Sequence, residues 1–201
     1  MSPAGRGVKR TLDLLGAGAV AIATLPLMAA CALAIKLDSR GPVLYRQLRV
    51  GRDGREFEIL KLRTMVVGAE RMGAGMAVDE GDPRITRVGT FLRRWSIDEL
   101  PNLWNVINGE MSLVGPRPTL PEQVDGYDER QRGRLAVRPG VTGWAQVSGR
   151  ASLPWSERIE LDLWYIGNAS LLLDLKIILA TVRMVFTGSG IYRGDSGGWG
   201  R

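Results

Sequence analysis

The sequence predicts an α+β protein held at a membrane: a re-entrant helix–break–helix, then a small β-hairpin and several amphipathic interfacial helices around a compact cytosolic core. Three observations carry that prediction. One is an uncharged run of 22 residues, Leu14 to Ile35, with Pro26 near its middle. Another is a pair of alternating segments, VLYRQLRV (43–50) and REFEILKLR (55–63), joined by the turn-rich GRDG. The last is two helical patterns near the C-terminus, PWSERIELDLWYIG (154–167) and SLLLDLKIILATVRMVFTG (170–188). These divide the chain into a membrane helix (1–40), a domain at the membrane surface (41–188) and a tail (189–201) expected to be flexible.

The apolar run comes first. At about 1.5 Å per residue, a straight helix of this length would just cross a hydrocarbon core of roughly 30 Å. A signal peptide fits poorly, because the run is long for an h-region and Lys36-Leu37-Asp38 follows where a cleavage site would be needed. Both flanks are basic: Arg6, Lys9 and Arg10 before, Lys36, Arg40, Arg46 and Arg49 after. Basic flanks favour the cytoplasmic face, and here both ends qualify. A helix that enters the bilayer, breaks at Thr24-Leu25-Pro26 and returns satisfies both facts. In that reading the Thr24 hydroxyl supplies hydrogen bonding near the break. A kinked single span is the alternative left by these residues alone.

The hairpin that follows is very basic, with Arg46, Arg49, Arg52, Arg55, Lys61 and Arg63. Most of these suit a solvated sheet face. Residues 66–83, rich in glycine and acids, read as a loop. PRITRVGTFLRRWS (83–96) reads as a short amphipathic helix with Val88, Phe91, Leu92 and Trp95 inward. The later segments VGPRPTLPEQ and VRPGVTGWAQVSGR present Arg117, Arg138 and Arg150 on proline- and glycine-rich loops, where a rigidly held guanidinium suits phosphate recognition. In the first C-terminal helix Trp155, Trp164 and Tyr165 are of the kind found at headgroup level. The second is apolar almost all round, so it lies in protein or against lipid.

Composition narrows the chemistry. The net charge is +6 and the pI about 10.0, which points to an anionic partner such as nucleic acid, a membrane surface or a phosphorylated substrate. With the single cysteine Cys31, no internal disulfide is possible. No histidine is present, which excludes a Ser-His-Asp triad and an imidazole zinc site. Acid–base, nucleophilic or metal chemistry therefore falls to carboxylates, hydroxyls or lysine.

One pair of carboxylates stands out, in SIDELPNLWNVINGEMSLVGPRP (96–118). Ser96 and Glu99 fit a capping box, with Leu100, Leu103, Trp104 and Ile107 forming the apolar face of the helix behind it. Against simple capping, Pro101 falls about one turn in, where it would kink a helix. Asp98-Glu99 tied to a proline equally suits a shaped site, and both readings stand on this segment alone.

Taken in order, the apolar hairpin, GPVLYRQLRVGRDGREFEILKLRTM, RITRVGTFLRRWSIDELPNLWNVINGEMSLVGPRP, VRPGVTGWAQVSGR and LDLWYIGNASLLLDLKI resemble the bacterial sugar transferases, over roughly residues 8–187. These are the small monotopic phosphoglycosyl transferases that begin glycan assembly on the inner membrane face. The resemblance implies a catalytic core that moves a phospho-sugar from a UDP-sugar to polyprenyl (undecaprenyl) phosphate, with Mg²⁺ and release of UMP. It implies Asp98 as a nucleophile forming an aspartyl-phosphosugar and Glu99 as the Mg²⁺ ligand. It places Lys61, Arg93, Arg117 and Arg150 among phosphate-binding residues, with Arg63 a weaker candidate. Many members carry Ser-Pro at the membrane break; this chain has Leu25-Pro26, with a hydroxyl one residue earlier at Thr24.

The residues agree on their own terms. A carboxylate can split a displacement at phosphorus into two steps, and arginines neutralise the transferring group. Neighbours on a helix point about 100° apart, so Asp98 and Glu99 should hold different jobs. A nucleic-acid partner is not expected, because the basic residues are scattered through Pro-Gly loops with no recognition-helix pattern. A non-catalytic membrane scaffold would leave Asp98-Glu99 as a cap only. A multi-span transferase fails for want of spans. The partners expected are a UDP-sugar, polyprenyl phosphate and inner-membrane lipids; a homodimer is compatible with the sequence.

Overall fold

The computed structural model describes residues 2–72, 78, 81–149 and 152–187. The chain starts with one long helix, α1 (Pro3–Asp38), in which the Ser2 side chain accepts the Gly5 N–H and Pro3 takes the first position. At 36 residues it is about 54 Å long, and it is long and apolar enough to cross a membrane. Helical structure continues through Pro26, so the expected break is a proline inside a continuous element. Pro26 cannot donate to the Ile22 carbonyl. The Thr24 hydroxyl donates instead to Val20 O at 2.7 Å and Ala21 O at 3.3 Å. It therefore serves the turn before the one that proline disturbs.

Both ends of α1 are tied to the rest of the fold. Near its start Lys9 meets Asp174 at 2.6 Å, Arg10 donates to Val106 O at 2.8 Å, and Asp13 accepts from Ser112 Oγ at 2.7 Å and Leu113 N at 3.1 Å. Near its end Asp38 accepts the Val88 N–H at 3.0 Å, while Cys31 and Ile35 pack with Leu62 and Leu92. Between these anchors Val20, Ile22, Leu25 and Leu27 are exposed.

The hairpin forms as its alternation requires. Strands β1 (Leu44–Val50) and β2 (Glu56–Leu62) pair antiparallel with Leu44 opposite Leu62, and Asp53 and Gly54 make the turn at positive φ. Phe57 and Ile59 face Ala17, Leu103, Val106 and Met111 in one core cluster. Helix α2 (Arg87–Arg94) is capped by Thr86, whose hydroxyl accepts the Gly89 N–H. Gly89 lets this helix sit on the chain: a Cβ there would fall 2.0 Å from Thr64 O. Helix α2 does not turn all its apolar residues inward, as expected from sequence. Leu92 is buried, but Phe91 is 56% exposed and Trp95 sits at the surface, edge-on to Phe186. A helix of eight residues has one narrow buried stripe, and Phe91 lies off it.

Helix α3 (Asn102–Asn108) starts just after Pro101, so the proline precedes the helix and kinks nothing. Its Asn105 side chain, 2% exposed, accepts the Leu60 N–H and donates to Glu58 O at 2.8 Å. That stitch fixes α3 to β2 directly beside Lys61. Strand β3 (Ser112–Val114) then pairs in parallel with β4 (Gly140–Thr142), an element the alternation pattern did not reveal. Between them lie the short helices α4 (Pro121–Asp125) and α5 (Glu129–Arg132). After β4 come α6 (Trp144–Val147), α7 (Trp155–Asn168) and α8 (Leu171–Thr187). Helix α8 exposes Leu172, Leu175, Leu179 and Phe186. Tyr165, expected at a headgroup boundary, is instead 2% exposed and donates to Asp174 at 2.6 Å. The tail expected over 189–201 lies outside the described residues.

Candidate active site

Asp98 and Glu99 lie on a single 3₁₀ turn, Ile97–Glu99, between α2 and α3. Ser96 enters that turn at φ +53°, a left-handed conformation uncommon outside glycine, and its side chain makes no capping bond. The expected capping box is therefore not formed. Leu100, just after the turn, packs against the core cluster of Phe57, Ile59, Leu103 and Val106.

Three cations converge on the two carboxylates. Glu99 Oε1 accepts from Lys61 Nζ at 2.7 Å and from Arg117 Nη2 at 2.8 Å. Lys61 comes from β2, Arg117 from the proline-stiffened loop after β3, and Arg93 from the last turn of α2. Asp98 lines a cavity of about 170 Å³ with Lys61, Arg93, Glu99 and Arg117, and also a second of about 370 Å³ that shares all of these but Glu99. Burial pushes the Asp98 carboxyl above its ordinary range; Lys61 opposes this, Glu99 adds to it, and Arg93 and Arg117 oppose it. Burial likewise pushes the Lys61 ammonium down, and Glu99 counters. The result is a carboxylate held among cations in a cleft, with Glu99 committed to orienting two of them.

The bacterial sugar transferase family profile matches residues 4–188. The chain belongs to that family. It is 45% identical over 195 residues to a UDP-N-acetylgalactosamine-undecaprenyl-phosphate N-acetylgalactosaminephosphotransferase of Aeromonas hydrophila, covering 94% of this chain and 46% of that one. It is 46% identical over 192 residues to a UDP-glucose:undecaprenyl-phosphate glucose-1-phosphate transferase of Caulobacter vibrioides, covering 92% and 72%. An uncharacterized sugar transferase of Bacillus subtilis, EpsL, is 41% identical over 184 residues, covering 92% and 90%. The chain thus spans nearly all of the Bacillus protein but under half of the Aeromonas one.

Not every expected residue of this sugar transferase joins the cluster. Lys61, Arg93, Asp98, Glu99 and Arg117 come together. Arg63, 6% exposed, donates to Arg40 O at 2.6 Å and Ser39 O at 2.8 Å, clamping the end of α1; it lines only the second cavity. Arg150 lies outside the described residues. Other residues were missed. Arg134, Gln146, Trp155, Arg158 and Asp162 complete the first cavity. Arg134 meets Asp162 Oδ2 at 2.5 Å, lies 5.0 Å from the Trp155 ring centroid, and donates to the Arg117 carbonyl at 3.2 Å. It thereby braces the loop that carries Arg117. A signal existed: Trp155, Arg158, Ile159 and Asp162 share one face of α7 at helical spacing.

For a metal, no group of three Asp, Glu, Cys or His side chains gathers among the described residues. Magnesium does not need one, since one or two carboxylates plus substrate phosphates and water commonly hold it. The Glu99 carboxylate, beside Asp98 in a cleft lined by Lys61, Arg93 and Arg117, fits that mode.

Proposed function

We propose that this sugar transferase moves a phospho-sugar from a UDP-sugar to polyprenyl phosphate in two displacements at phosphorus. The observation that carries the reading is Asp98, set among Lys61, Arg93 and Arg117 in a chain without histidine. In the first step an Asp98 oxygen bonds to the β-phosphorus of the donor. The bond from that phosphorus to the bridging oxygen breaks, and its electron pair leaves with UMP. In the second, a phosphate oxygen of the polyprenyl acceptor bonds to the same phosphorus and the Asp98 carboxylate leaves, regenerated. Lys61, Arg93 and Arg117 neutralise the charge that the phosphoryl oxygens carry through both steps. Glu99 holds Lys61 and Arg117 in place and would supply carboxylate oxygen to Mg²⁺. When bound, Mg²⁺ adds positive charge against the diphosphate.

The names of the Aeromonas and Caulobacter relatives support an undecaprenyl phosphate acceptor and a UDP-linked donor. The topology proposed is monotopic, on the cytoplasmic face of the bacterial inner membrane. Its support is the anchoring of both ends of α1 to one polar body, with an exposed apolar middle between them. Exposed Trp95, Phe91 and the outer face of α8 extend the apolar surface. The reaction would be the first membrane step of glycan assembly. Purified protein given undecaprenyl phosphate, Mg²⁺ and a panel of UDP-sugars should release UMP with at least one of them. Release with none would overturn the proposal.

A further inference from the structure

Gln146 and Asp162 line the smaller cavity, and three of their buried polar atoms lack partners. Gln146, 5% exposed on α6, has both its amide oxygen and its amide nitrogen unpaired. Asp162, 1% exposed on α7, spends Oδ2 on Arg134 and leaves Oδ1 unpaired. Buried polar groups are normally satisfied, so three orphans on two residues that line one cavity call for partners that a ligand can supply. Gly143 lets Gly115 O and Gln146 Oε1 both approach the chain, since a Cβ there would lie 2.1 Å from the first and 2.7 Å from the second.

We propose that Gln146 and Asp162 read the hydroxyl groups of the transferred sugar ring. The inference rests on the phospho-sugar transfer reading and assigns the side of that cavity lined by α6 and α7. Three arguments favour a sugar over the uracil base. The first is connectivity: the sugar is one oxygen away from the phosphorus that Asp98 attacks, and both ends belong to one cavity. Size is the second. Drug-sized ligands fill roughly 300–1,000 Å³, so about 170 Å³ holds a single ring and not a nucleoside diphosphate. The larger cavity shares Lys61, Arg93, Asp98 and Arg117 but neither Gln146 nor Asp162. Third is the donor–acceptor inventory. The Asp162 carboxylate oxygen and Gln146 Oε1 need donors while Gln146 Nε2 needs an acceptor. Hydroxyls on adjacent ring carbons supply both, because each can donate and accept. The uracil edge has two carbonyls flanking one N–H, and a carboxylate beside it would face an acceptor.

Buried groups built to bond a hydroxyl discriminate strongly, because the wrong substrate leaves them unpaired. Gln146→Met keeps the length of the side chain and removes both polar atoms. Full-length protein and this variant would be compared in undecaprenyl phosphate and Mg²⁺ with UDP-glucose, UDP-galactose and UDP-N-acetylgalactosamine, reading UMP release, with UMP as a competitive inhibitor. The expected result is that the ratio of kcat/KM between the best and worst sugar changes roughly tenfold or more, while the UMP inhibition constant stays within about twofold. Gln146→Glu, which keeps the shape and replaces the donor by a second acceptor, should also reorder the sugars. It gives the same reading if the methionine variant folds poorly. Unchanged ratios in active variants would overturn the proposal. A uniform loss for all three sugars with weaker UMP inhibition would overturn it too, by moving Gln146 to the nucleotide. If the parent protein releases no UMP from any UDP-sugar, the transfer reading itself falls and this subsite falls with it.

Discussion

Asp98 and Glu99 sit side by side but in different environments, and their variants should differ accordingly. Asp98→Asn removes the attacking oxygen's charge and should lower kcat on the order of 10³-fold or more, read as UMP release. It should not destabilise the fold. A carboxyl whose pKa is raised by folding weighs against the native state once the pH exceeds its unfolded value, and that penalty fades as pH falls through the folded value. At pH 7 Asp98→Asn should therefore raise Tm, and a lowered Tm would contradict the burial argument. The same sign sets the pH profile. In the proposed mechanism only ionised Asp98 attacks, so the acid limb of kcat/KM should lie above the ordinary aspartate value of about 3.9. Glu99→Gln should weaken activity and shift the Mg²⁺ titration midpoint together; an unchanged midpoint would remove Glu99 from the metal. Arg117→Lys loses the planar guanidinium that reaches Glu99 and should lower kcat/KM on the order of tenfold, with full activity placing Arg117 on the ordinary surface.

The elements that hold this cluster were unevenly legible in the sequence. β1 and β2 appear almost as their alternation dictates, because a hairpin is a local structure with its turn chemistry written between the strands. The turn at Ser96 was not legible, since a left-handed backbone at serine follows no local preference. β3 and β4 were missed for a similar reason: they are three residues each and pair in parallel across 25 intervening residues, Lys-free loops and short helices that give no periodic signal. Asp162 had a helical-spacing signal on α7, but Arg134, its ion-pair partner 28 residues away, had none, because a long-range pair leaves no spacing pattern. Their pairing carries a prediction of its own. With 3% and 1% side-chain exposure, Arg134→Met strands a buried carboxylate and should cost about 3–5 kcal/mol in denaturant unfolding. Loss of less than about 1 kcal/mol would show that water reaches Asp162.

Over the whole molecule, the apolar surface and the polar anchors must be reconciled. Pro26 weighs against a straight α1 by roughly 3 kcal/mol, while the Lys9–Asp174 and Asp38–Val88 contacts hold its two ends to one body. Pro26→Leu should therefore release part of the population into a straight span. The probe is an impermeant thiol reagent on intact cells, applied to Ser2→Cys or Ser39→Cys in a Cys31→Ala background. With Pro26 present both positions should be protected until lysis, and with Pro26→Leu position 2 should begin to label. Labelling of position 2 with Pro26 in place would establish an ordinary span and end the re-entrant topology.

The proposed mechanism requires a phosphorus bound for a time to Asp98. Protein incubated with Mg²⁺ and a UDP-sugar it turns over, without acceptor, should gain the mass of one phospho-sugar. Peptide mass spectrometry should place that mass on Asp98, and polyprenyl phosphate should discharge it. An enzyme that turns over without any such adduct, or an Asp98→Asn variant that keeps more than about a tenth of the activity, would contradict the two-step mechanism.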